Sequence, residues 1–127
     1  MGQHQPTDKA VVLVVEDEPL IRFLAVEFIQ EAGFDVVEAA NADEAIGILE
    51  ARTDIRIVFT DIDMPGGMDG MKLAAAVRDR WPPIEIIIVS GLKRHRDDEL
   101  PPRAVFFSKP YDLEAVTATL RYMVAAI

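Results

Sequence analysis

The amino-acid sequence predicts an α/β sandwich built around a parallel sheet, and three observations predict it. Short β-rich runs alternate with helix-patterned segments along the chain from Ala10 onward. Three of these runs, Ala10–Glu16, Ile57–Asp61 and Ile84–Val89, are almost continuously apolar, the pattern of strands covered on both faces. The 127 residues are half apolar, which is one domain by length with enough apolar surface for a real core.

Met1–Lys9 is polar, contains Pro6 and reads as a flexible tail, so the domain is expected over residues 10–127. The first strand is Ala10–Glu16. Pro19 suits a first helical position. Ile21, Leu24, Ala25, Phe28, Ile29 and Ala32 then form the expected buried stripe, and Gly33 can end the helix. The second strand is Asp35–Glu38. Asn41 is placed to cap the next helix, with Glu44 three residues on as in a capping box, and Ala45, Ile46 and Leu49 as its buried side. Ile57–Asp61 is the third strand. A third helix runs from about Asp69 to Trp81 and stops at Pro82–Pro83. Ile84–Val89 and Ala104–Phe107 are the fourth and fifth strands. Between them Lys93–Leu100 is mostly charged, lacks an apolar stripe and precedes Pro101–Pro102, so a short or irregular fourth helix is expected there. The last helix begins near Tyr111 and sets Leu113, Val116, Leu120, Met123 and Val124 on one face.

Composition excludes several function classes. The formal net charge of −9 repels nucleic-acid phosphates, so direct nucleic-acid binding is not expected. The chain has no cysteine, which rules out disulfides, thiolate metal sites and a cysteine nucleophile, and fits a cytoplasmic location. The longest clean apolar stretch, Ile86–Val89 with Ile84 before it, is strand-sized, so no membrane span is expected. The first residues lack the charged-then-apolar pattern of a signal peptide. A myristoylation motif fails at Pro6, where it wants Ser or Thr.

The chemistry is expected at the strand ends. Strand one ends in Glu16–Asp17, strand three in Asp61, strand four in Ser90 and strand five in Ser108–Lys109. In an open parallel sheet these carboxyl ends face one side, and ligands bind there. Converging carboxylates repel unless a cation joins them. A hard divalent cation such as Mg²⁺ accepts oxygen ligands and keeps several waters, so two carboxylates and a backbone carbonyl suffice. Lys109 is a fixed positive charge able to pair with Asp61 at rest and to hold a phosphoryl oxygen afterwards, and Ser90 can donate to another. A cation, an ammonium and a donor around a carboxylate nucleophile are the equipment of phosphoryl transfer. Taken singly, each residue has a plainer reading: helix-start acids at Glu16–Glu18, loop acids at Asp61 and Asp63 beside Pro65 and Gly66–Gly67, a turn at Ser90–Gly91, a solvated loop end at Lys109–Pro110. Their placement at four strand ends in this order favours the joint reading. An EF-hand calcium loop is excluded, because its twelfth position is Lys72 where glutamate is needed.

On these residues the chain resembles the receiver domains of two-component response regulators, over roughly Ala10 to Ala126. The matching elements are the acidic pair Glu16–Asp17, the stretch Val58–Pro65, the triplet Met68–Asp69–Gly70, then Ser90–Gly91 and Lys109–Pro110. The resemblance implies a flavodoxin-like, five-stranded parallel sheet of order 2-1-3-4-5 with helices on both faces. It implies that Asp61 accepts a phosphoryl group from a histidine kinase or phosphotransfer protein. The domain would catalyse its own phosphorylation and dephosphorylation without being a turnover enzyme. Asp17 and Asp61 would bind Mg²⁺, or Mn²⁺ in its place, through their carboxylates. Glu16 would bind it directly or through water, and Asp63 through its backbone carbonyl. Ser90 and Lys109 would contact the phosphoryl group. Ser90 and Phe106 match the family's switch pair, Asp63 and Leu92 its tuning positions, and Lys109–Pro110 is expected to be cis. A downstream protein, or a second copy of the chain, would bind near strand five and the last helix.

Three departures stand out. Gly66–Gly67 lengthens the loop after Asp61 by about one residue relative to the family's common pattern, the interval from Ser90 to Phe106 is a few residues short, and the switch aromatic is Phe where Tyr is common. Two other readings remain. Asp61-Ile-Asp63 also resembles the two-aspartate motif of haloacid-dehalogenase-type phosphatases, which place it near the chain start and expect Thr or Val at Pro65. A receiver-like adaptor that does without phosphate is the other. Both a stand-alone regulator and a piece of a longer protein fit the sequence.

Overall fold

A computed structural model describes residues 9–63, 69–91 and 100–125. The expected tail up to Asp8, Gly66–Gly67, Leu92 and the segment before Leu100 where a short or irregular fourth helix is expected lie outside the described residues. The described elements are β1 (Val11–Val15), α1 (Pro19–Glu31), β2 (Asp35–Ala39), α2 (Ala42–Ala51), β3 (Ile55–Asp61), α3 (Gly70–Arg80), β4 (Glu85–Ser90), β5 (Val105–Ser108) and α4 (Leu113–Ala125). All strand pairs are parallel, and the order is β2-β1-β3-β4-β5, the flavodoxin-like order.

The sheet divides the core in two. Leu13, Val15, Val58, Ile86 and Ile88 face α2 and α3, which contribute Ala45, Leu49, Leu73 and Val77. Val12, Val14, Ile57, Phe59, Ile87 and Val89 face α1 and α4, which contribute Ala25, Ile29, Val116 and Leu120. Alternate strand residues therefore serve opposite faces, which is why the inner strands read as unbroken apolar runs.

Local chemistry sets the helix ends. Pro19 opens α1. Asn41 caps α2, its side chain accepting from the Glu44 N–H at 2.8 Å, while Glu44 reaches back to the Ala40 N–H at 2.7 Å, one residue before the cap. Asp69 caps α3 by accepting from the Lys72 N–H at 2.9 Å, and Trp81 ends it ahead of Pro82. Among the described residues no helix is long and apolar enough to cross a membrane.

Four expectations need correction. β3 starts at Ile55, two residues early, because a register shift between Val11 and Val12 leaves Arg56 unpaired between Ile55 and Ile57. β4 and β5 each sit one residue later than expected, so Ser90 and Ser108 pair within the ladder. The stripe of α1 is narrower: Ala25, Val26 and Ile29 are buried, whereas Ile21 and Leu24 are 40% and 52% exposed. These two line a groove with Pro110, Tyr111 and Leu113 instead of meeting the sheet. α4 starts at Leu113, after an Asp112 side chain that accepts from the Glu114 N–H, and leaves Leu113 itself exposed.

Candidate functional site

The strand order reverses between β1 and β3, so their carboxyl ends open a crevice. Glu16 and Asp17 follow β1, and Asp61 ends β3. One carboxylate oxygen from each of the three lies within 4.8 Å of the others. Glu16 and Asp61 are only 5% and 4% exposed, and Asp17 is half-buried. Burial pushes the Glu16 carboxyl up to about 7, the Asp61 charge adds to this, and the Glu18 N–H and Lys109 oppose it. An all-oxygen, anionic cluster that holds one member partly protonated near neutrality is short of positive charge, and that donor set fits a hard divalent cation.

Lys109 supplies one cation. Its backbone N–H donates to the Ser90 carbonyl at 2.8 Å, which extends the β4–β5 ladder and fixes the root of the side chain. Its Nζ then stands 3.1 Å from Asp61 Oδ2 and 3.8 Å from Glu16 Oε1. The Lys109–Pro110 bond is cis. The other Asp61 oxygen, Oδ1, accepts from the Asp63 N–H at 3.2 Å. Ser90, fully buried, donates from Oγ to Asp63 Oδ2 at 3.0 Å. Phe106 is half-buried on β5 and packs against the α2–α3 side of the core. Thus Glu16, Asp17, Asp61, Asp63, Ser90 and Lys109 come together at one end of the sheet, and Phe106 lies on the strand beside Ser90. Leu92 lies outside the described residues.

Three further residues support the site: Arg22, Gly70 and Tyr111. Arg22 on α1 donates from Nη1 to the Glu16 backbone carbonyl at 2.9 Å and from Nε to Glu38 at 3.0 Å, pinning the loop that carries the acidic pair. The sequence offers no local signal for this contact. Gly70 is a packing requirement: a Cβ there would overlap the Asp61 backbone oxygen and stand 2.7 Å from Ile62 Cα. Its N–H donates to the Ile62 carbonyl at 3.1 Å, docking the start of α3 onto the end of β3. Tyr111 is half-buried, forms ring contacts with Phe28 and Phe59, and has its hydroxyl pKa raised by burial and by the charges of Glu16 and Asp61.

The response regulator receiver domain model matches residues 12–121. The sensor kinase CckA of Brucella abortus is 36% identical over 118 residues, covering 90% of this chain but 12% of that kinase, so the chain spans about an eighth of its length. A crystal structure of the receiver domain of the hybrid histidine kinase CckA aligns with a TM-score of 0.74 at 27% identity, covering 89% of this chain and 97% of that one. The response regulator TrrA of Thermotoga maritima, solved in complex with Mg²⁺ and BeF, aligns with a TM-score of 0.75 at 28% identity over the same shares of the two chains.

Proposed function

Because this chain belongs to the response regulator receiver domain family of two-component systems, we propose that Asp61 is its phosphoacceptor and that a histidine kinase or phosphotransfer protein is the donor. The observation that carries this reading is the setting of Asp61: a buried carboxylate at a strand end, held by Lys109 through one oxygen and by the Asp63 N–H through the other. The holders orient the group for attack without removing its charge.

One Asp61 oxygen attacks the phosphorus of the donor's phosphohistidine. The phosphorus–nitrogen bond breaks, and its electron pair leaves with the imidazole, which takes up a proton. Asp61 becomes an acyl phosphate. Lys109 remains paired to an anionic oxygen throughout, and the Ser90 hydroxyl donates to a phosphoryl oxygen. Water later attacks phosphorus and returns the carboxylate and inorganic phosphate. The chain is thus a phosphoacceptor that catalyses its own loading and unloading, and not a turnover enzyme. The carboxylates of Asp17 and Asp61, Glu16 directly or through water, and the Asp63 backbone carbonyl would hold Mg²⁺, or Mn²⁺ in its place. When bound, the metal neutralises charge that develops on the phosphoryl oxygens. Asp63 and Leu92 tune the lifetime of the phosphoryl group. Ser90 and Phe106 carry the change to the surface beside β5 and α4, where a protein target or a second copy of the chain docks. The acidic surface speaks against nucleic acid as that target.

The test is phosphorylation from labelled acetyl phosphate with Mg²⁺. Wild type is expected to take up hydroxylamine-labile label, and Asp61→Asn none while keeping its NMR fingerprint. Equal labelling of a folded Asp61→Asn chain would refute the assignment.

A further inference from the structure

Asp63 touches both halves of the proposed mechanism. Its N–H donates to Asp61 Oδ1, and its carboxylate accepts from Ser90 Oγ, a residue 27 positions away on the next strand. A serine hydroxyl carries one proton and donates one hydrogen bond at a time. We infer that the Asp63 side chain is a positioning residue for Ser90, a resting-state latch that a phosphoryl group on Asp61 must displace in order to receive the same proton.

The chemistry makes the exchange possible and nearly balanced. Both acceptors are anionic oxygens, so moving the Ser90 proton from one to the other trades one charge-assisted hydrogen bond for another. Ser90 is fully buried, so bulk water does not compete for its hydroxyl proton at rest, and the Asp63 carboxylate is an acceptor that a phosphoryl oxygen has to outcompete. Asp63 is exposed, which weakens the latch by solvent screening and keeps it breakable. The latch therefore sets a threshold: it opposes the activated arrangement by an amount fixed by one hydrogen bond. Most side chains at position 63 would impose no such threshold, because a residue without an acceptor cannot hold the Ser90 proton. This inference rests on the reading that Ser90 meets a phosphoryl oxygen on Asp61.

The experiment is an NMR titration with beryllofluoride at saturating Mg²⁺ on wild type, Asp63→Ala, Asp63→Asn, Ser90→Ala and the Ser90→Ala/Asp63→Ala double variant. Wild type is expected to bind. A wild type that does not bind overturns the phosphoacceptor reading and the latch with it. Given binding, Asp63→Ala is expected to tighten it about three- to tenfold, the worth of a half-exposed hydrogen bond. Asp63→Asn, which keeps an acceptor oxygen, is expected to fall between wild type and alanine. The gain is expected to vanish in the Ser90→Ala background. If alanine and asparagine give equal gains that persist without the Ser90 hydroxyl, Asp63 acts by repelling the anion and the latch is refuted, while the phosphoacceptor reading stands. No gain in Asp63→Ala refutes the latch likewise. A resting-state readout separates positioning from general stability: the Ser90 Hβ couplings should report one rotamer in the wild type and averaging in Asp63→Ala.

Discussion

Replacing Glu16 by glutamine should make the metal-free protein more stable and its proposed site less able to bind metal. The carboxyl of Glu16 is pushed from 4.5 up to about 7, by burial first and then by Asp61. At about 1.4 kcal/mol per pK unit, keeping Glu16 ionised in the folded chain costs about 3 kcal/mol above pH 7. Between pH 4.5 and 7 the folded chain holds a proton that the unfolded chain has released. The wild type's stability therefore falls as pH rises through that window, and it levels off above it. Glutamine does not titrate, and its side-chain oxygen can still accept from the Glu18 N–H that Glu16 engages at 3.1 Å. It loses only the long 3.8 Å contact with Lys109. After allowing for that loss, the gain of Glu16→Gln over wild type should grow by about 2 kcal/mol between pH 4.5 and pH 8. That corresponds to a melting-temperature difference opening by roughly 4 °C per kcal/mol. Paired thermal and urea denaturation in EDTA across that range would measure it. Added Mg²⁺ should then raise the wild type's melting temperature at pH 8 far more than the variant's. A stability difference that stays flat from pH 4.5 to 8 would refute the claim that Glu16 carries the strain of the cluster.

Two packing predictions follow from the backbone. Gly70→Ala pushes a methyl into the Asp61 and Ile62 backbone, so it should cost about 1–3 kcal/mol and depress phosphorylation beyond what that loss explains. Gly47→Ala, mid-helix in α2 with open space around it, should instead stabilise by about 0.5–1 kcal/mol and leave phosphorylation unchanged. Urea denaturation with acetyl-phosphate labelling of both variants checks the contrast. Asn41→Ala removes the acceptor for the Glu44 N–H and should cost about 1 kcal/mol, read as a shifted urea midpoint with an unchanged slope.

The parts of the fold that were legible in the sequence are those set by local pattern. β1, β3 and β4 are covered on both faces, so they read as apolar runs. Asn41, Asp69 and Pro82 mark helix ends through chemistry that acts within a few residues. The gathering of the site was also legible, because parallel order alone sends every strand's carboxyl end to one side. Errors arose where one pattern serves two environments. Ile21 and Leu24 keep helical spacing with Ala25 and Ile29, and spacing cannot tell a groove between two helices from a sheet. Arg56 broke an apolar run that the backbone itself carries on across a register shift. Contacts such as Arg22 to the Glu16 carbonyl and Ser90 to Asp63 depend on side-chain reach across the assembled sheet, which no local window contains.

The register of β4 and β5 bears on how a signal would leave the site. Ile88 pairs with Phe106 and Ser90 with Ser108, so Ser90, Ile88 and Phe106 all belong to the sheet face covered by α2 and α3. Asp61 alternates with Phe59 and Ile57 and so lies in phase with the opposite face. A hydroxyl that moves toward a group on Asp61 thus leaves the side of the sheet on which Phe106 packs. The space it vacates opens on the ring's own face. Phe106 is half-buried at rest, so turning further inward adds apolar burial, at about 25 cal/mol for each Å² removed from water. Phenylalanine has no hydroxyl to direct that turn, which leaves packing as the driving force. Under the proposed function packing would act only once Ser90 has moved, and at rest Ser90 donates to Asp63. Under the proposed function the order of events is therefore fixed by geometry: the proton of Ser90 changes partner first, and the aromatic ring follows.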